Sequence, residues 1–83
     1  MVALPTVHMN GTSKAELVKQ IRDAHVALQI AKNVMCNAAP HGRDYYPQGN
    51  DVYSSARAQH YSRLERIEAI MKEYGQIYEG IES

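Results

Sequence analysis

Apolar positions recur along this chain at alternating spacings of four and three residues, in two long runs separated by one irregular stretch. The first run is Leu17, Ile21, Ala24, Leu28, Ala31, Met35 and Ala38. Such alternation is the seam of a helix that packs lengthwise on a neighbour. Val18, Val26, Ile30 and Val34 widen this stripe on its flanks. A helix apolar on two faces must touch more than one neighbour. The second run is Tyr53, Ala56, His60, Leu64, Ile67, Met71, Tyr74, Tyr78 and Ile81, with Ile70 and Ile77 as a second edge. Arg63, Glu65, Arg66, Glu68, Lys72 and Glu73 fall on the outer face, the ordinary solvated pattern.

Capping signals set the boundaries. Ser13-Lys14-Ala15-Glu16 matches the capping box, in which hydroxyl and carboxylate each satisfy a free backbone N–H. Pro40 disfavours helical geometry at the residue before it, so the first helix is expected over 13–37. Asn50 and Asp51 are good caps for a second helix over 51–81, with Gly80 at its end. Gly75 weakens that helix and marks either a close helix approach or fraying. Residues 1–12 show no periodicity and read as a tail, with Asn10-Gly11 as a turn. The fold class expected is therefore all-α: two long antiparallel helices joined by an ordered loop at 38–50, within a hairpin domain over 13–83. Two helices cannot enclose a core. Assembly into a homo-oligomeric helical bundle, a dimer or higher, is the simplest closed solution.

Composition narrows the function classes. A chain of 83 residues is one domain, and marginal alone. A formal net charge of zero argues against general nucleic-acid binding. Cys36 is the single cysteine, so no intramolecular disulfide forms, and such a residue reads as a small buried hydrophobe. No segment approaches the roughly 18 apolar residues of a membrane span. The first seven residues lack the basic start of a signal peptide, and Met1 and Met9 are both candidate starts. A cytosolic location is the expectation.

Candidate chemistry gathers in the irregular stretch, which is long and polar-aromatic for a hairpin connection. Ala39-Pro40-His41-Gly42-Arg43-Asp44-Tyr45-Tyr46-Pro47-Gln48-Gly49 holds two adjacent tyrosines, an arginine and a histidine. Tyr45 and Tyr46 are suited to stacking on a base and offering hydroxyls to phosphate or ribose. The competing role is structural, with one ring plugging the bundle end and the other covering it. Arg43 is suited to paired bonds with a phosphate, His41 is a donor near neutral pH, and Gln48 adds an amide. Asp44 beside Arg43 is a rival internal partner. Arg57 and His60 lie in the first turns of the second helix, whose N-terminus favours an anion. His60 also falls on the apolar stripe, where a core role is the commoner one. Lys32, Asn33 and Asn37 close the first helix at the same end. Nothing matches a nucleophile elbow, a Walker loop or a zinc-protease helix, and the histidines at 8, 25, 41 and 60 lack zinc spacing. The expectation is a non-enzymatic protein with no metal and no cofactor.

The block from Ala38 to Gly49, followed by Ala56-Arg57-Ala58-Gln59-His60-Tyr61-Ser62-Arg63, resembles small phage and prophage proteins of no assigned activity. The likeness covers roughly residues 13 to 81. It implies a viral or prophage origin. Small phage-encoded helical oligomers include anti-defence proteins that sequester cyclic nucleotide signals of bacterial immunity. By that analogy of size, source and architecture, this chain is expected to hold a small phosphorylated ligand, with a protein-binding adaptor or a purely structural bundle as alternatives.

Overall fold

The structure, a computed structural model, describes residues 1–82. Three helices follow one another: α1 over Lys14–Asn37, a single-turn α2 over Gly42–Tyr45, and α3 over Asn50–Glu82. A 3-10 turn, Tyr46–Gln48, joins α2 to α3. The two long helices fold back on each other as a hairpin measuring 62 × 23 × 18 Å. Its radius of gyration is 18.3 Å, where a compact chain of this length would measure about 12 Å.

Local chemistry explains these boundaries. The Ser13 hydroxyl accepts from the Glu16 backbone N–H at 3.2 Å, satisfying one free donor at the start of α1. The helix ends at Asn37, two residues before the one that Pro40 restricts. The expected ordered loop is largely helical. His41 adopts extended angles and its carbonyl accepts from Asp44, starting the short turn that Arg43 and Tyr45 occupy. Pro47 then sits in the first turn of the 3-10 segment, where a missing N–H costs nothing. Gly49 closes it at φ 102°, ψ 161°, a conformation essentially reserved for glycine.

The packed seam follows the expected stripe on α3. Tyr53, Ala56, Leu64, Ile67, Met71, Tyr74 and Tyr78 are half-buried, and His60 and Ile81 are buried. On α1 the seam departs from expectation in two places. Ala31 and Ala38 are exposed, and Lys32 is half-buried instead. Positions 31 and 32 flank the seam on either side at 3.6 residues per turn. Lys32 lays its aliphatic stem along the seam and reaches Glu68 on α3 at 2.7 Å. Cys36 is exposed, not buried, because it lies about a quarter-turn from Leu28 and Met35, on the flank of the packed row.

Both glycines of α3 correct the sequence reading. Gly80 does not end the helix, which continues to Glu82. A Cβ there would lie 2.7 Å from the Leu4 methyls, so the position makes room for the N-terminal segment. Gly75 meets nothing within 4 Å and marks no close helix approach. The first residues carry no regular structure apart from a turn, in which Gly11 donates to the His8 carbonyl. Met1 and Val2 border the same open surface depression as Ile70, Tyr74 and Ile77, and Ile70 stays 43 % exposed.

Candidate functional site

Tyr53, Arg57 and Tyr61 stand four residues apart on α3 and therefore share one face. The Arg57 guanidinium lies over both rings, 5.7 Å from the Tyr53 centroid and 6.0 Å from that of Tyr61. A cation held over an aromatic face is attracted by the ring quadrupole. A hydrogen bond with Tyr61, then the charge interactions with both tyrosines, raises the Arg57 guanidinium above its ordinary value. The cation is therefore permanent. Arg57 itself is exposed, and among the described residues no carboxylate pairs with it.

This triplet borders a cavity of about 350 Å³ at the loop end of the hairpin. Ala39 and Pro40 form one wall, and Tyr53, Arg57, His60 and Tyr61 form the other. His60 is 7 % exposed, with its ring 6.2 Å from that of Tyr61. Its position on the seam, facing α1, explains the burial. The lining thus holds one fixed cation, one imidazole and two phenols, with no acidic side chain. A cavity of this inventory suits an anion with a flat apolar part.

The structure brings together only some of the residues expected at the site. Arg57 and His60 line the cavity, while His41, Arg43, Tyr45, Tyr46 and Gln48 do not. Tyr45 turns inward, its ring 6.2 Å from Tyr53 at an interplanar angle of 35°, and buttresses the triplet from below the turn. Tyr46 points outward with 77 % of its surface exposed. His41, Arg43 and Gln48 are exposed around the same short turn. Arg43 and Asp44 form no ion pair among the described residues. Lys32, grouped with this end in the sequence, is instead held by Glu68. Tyr53 and Tyr61 also line the cavity, although neither was among the ligand-binding residues expected from the sequence. The signal was the i, i+4, i+8 pattern Tyr-x3-Arg-x3-Tyr.

No group of three or more potential metal-ligating side chains occurs among the described residues. No helix there is long and apolar enough to cross a membrane. Comparison with protein-family models, curated proteins and solved structures finds no match to this chain.

Proposed function

We propose that this protein is a non-enzymatic binding protein of phage or prophage origin. It assembles as a homo-oligomer and sequesters a small phosphorylated ligand, a cyclic nucleotide immune signal being the class favoured. The observation that carries this reading is the Tyr53–Arg57–Tyr61 triplet at the mouth of a carboxylate-free cavity. Arg57 offers a permanent cation without an acidic partner to displace, so a phosphate meets it at little reorganisation cost. His60 offers a ring nitrogen at the cavity wall. A cavity of about 350 Å³ is near the small end of ligand sites and suits a nucleotide-sized group rather than a polymer. Tyr46, Arg43, His41 and Gln48 surround the same end of the hairpin, and Tyr46 is free to stack on a base.

Sequestration is favoured over turnover because His60, the one candidate base lining the cavity, has no carboxylate beside it in that lining to orient it. A second reading is favoured by the exposure of Tyr46: a protein-binding adaptor would use such a ring, with Arg43, as the anchor of an interface.

A thermal-shift screen against cyclic dinucleotides, linear dinucleotides and mononucleotides separates the two. A ligand at a hundred times its Kd stabilises the folded state by about 2.7 kcal/mol, a shift of several degrees in a chain this small. The adaptor reading expects no nucleotide to shift the transition.

A further inference from the structure

One apolar face of the hairpin is left without a partner. Val26, Ile30 and Val34 are 49 %, 58 % and 62 % exposed. Their four-residue spacing places them on one ridge of α1, about half a turn from Leu28 and so on the side away from α3. The corresponding edge of α3, at Ile70 and Ile77, differs in bordering a surface depression that Met1 and Val2 also line. The ridge has nothing of the same chain over it.

We infer that this ridge is the interface with a second copy of the chain, the two α1 helices crossing antiparallel about a two-fold axis at Ile30. This deepens the homo-oligomer part of the proposed function and does not depend on the ligand. Three observations carry it. The first is area. A compact chain of 9.3 kDa exposes about 5,000 Å², whereas this one exposes 6308 Å². The excess of about 1,300 Å² belongs to the whole elongated chain, its N-terminal residues included, and is larger than the ~800 Å² per partner that a standard interface covers, so pairing along α1 would bring the chain toward compact exposure.

The second observation is symmetry. Val-x3-Ile-x3-Val reads the same in both directions, so a two-fold axis at Ile30 sets Val26 against the partner's Val34 and Ile30 against the partner's Ile30. Ridges built on four-residue spacing interdigitate at about −50°.

The third is charge. On the same face, Lys19 and Asp23 form an ion pair at 2.8 Å on the N-terminal side of the ridge, and Asn33 and Asn37 lie on the other side. An antiparallel crossing brings Asp23 toward the amide of the partner's Asn37. A parallel one sets each Lys19–Asp23 pair against its own copy, Lys19 beside the partner's Lys19 and Asp23 beside the partner's Asp23. The antiparallel arrangement sends the two loop ends in opposite directions, so each cavity belongs to one protomer.

Site-directed cross-linking in a Cys36→Ser background tests the register. Ile30→Cys should form a homodimeric disulfide under mild oxidation, because the two thiols meet at the axis. Val26→Cys and Val34→Cys alone should not, since each would sit about 12 Å along the helix from its own copy. Mixed together, they should cross-link to each other. In light scattering, the wild type should show twice the chain mass, and Ile30→Arg should fall to the single mass with helicity retained. If Ile30→Arg unfolds, the cross-linking pattern decides alone. A monomeric wild type at high micromolar concentration, or self-linking of Val26→Cys as fast as of Ile30→Cys, overturns the inference. Both results are read without any nucleotide, so they leave the ligand proposal to its own assay.

Discussion

Leu4 rests against Gly80, so close that a Cβ on residue 80 would fall 2.7 Å from its methyl carbons. An N-terminal residue and a residue near the end of α3 are thereby paired across almost the whole sequence. Gly80 is helical, with α3 continuing past it to Glu82. Its absent side chain is therefore explained by the neighbour and not by a turn.

The two α3 glycines should respond differently to alanine. Gly75→Ala adds a methyl to open space in a helix, with no positive φ to strain. It should stabilise by about 0.5–1 kcal/mol through helix propensity. Gly80→Ala gains the same propensity but must push the half-exposed Leu4 side chain aside, so its gain should be smaller. Removing residues 1–12 should erase that difference. Urea midpoints of the four chains measure it. Equal gains at both positions with the tail present would show that Leu4 does not rest on residue 80.

Gly49→Ala should act in the opposite direction. At φ 102° and ψ 161° a Cβ is strained whatever space surrounds it, and nothing lies within 4 Å. A destabilisation of about 1–3 kcal/mol is expected. Circular dichroism melts would check it, and an unchanged transition would mean that residue 49 relaxes freely without the turn.

The Lys32–Glu68 pair ties α1 to α3 and should leave a pH signature. Hydrogen bonding to Glu68, reinforced by its charge, raises the Lys32 ammonium above its ordinary value. A raised folded-state value means stability that is fully present below about pH 10.4 and is lost as the pH climbs through the raised value. Lys32 lies near the surface, so the effect should be small and reduced by salt. Melting temperatures of the wild type and Lys32→Met should therefore differ below about pH 10.4 and converge as the pH rises above it. A gap that stays constant through that rise would assign the difference to the stem's packing and not to the charge.

The hairpin was legible in the sequence because each apolar stripe keeps helical period over many turns, and Ser13 and Pro40 punctuate the first helix. Every α3 stripe residue from Tyr53 to Ile81 is at least half-buried. The substitution of Lys32 for Ala31 on the seam was not legible. Its ion pair lies 36 positions away in sequence, and no local pattern signals it. The helical character of the connection was masked by Pro40, Gly42, Pro47 and Gly49, which punctuate short turns as readily as open loops.

The site was half legible for a similar reason. Residue chemistry drew attention to His41, Arg43, Tyr46 and Gln48, yet the single-turn α2, its cap and the 3-10 turn that follows leave them exposed at the hairpin end. Tyr53 was assigned to the seam from its spacing. It belongs to the seam and to the cavity at once, because the cavity lies between Ala39–Pro40 and the first turns of α3. The Arg57 cation over two rings depends on side-chain direction along one helix face, which spacing indicates only in hindsight.

Isothermal titration of the wild type and Arg57→Ala with cyclic dinucleotides and nucleoside monophosphates tests the central claim most directly. The exposed arginine should be removable without unfolding, which a melt of the variant confirms beforehand. The account predicts saturable binding of at least one phosphorylated ligand to the wild type, weakened about ten- to a hundredfold in Arg57→Ala by loss of charged hydrogen bonds. No binding by the wild type, or equal affinity in a folded Arg57→Ala, would contradict it.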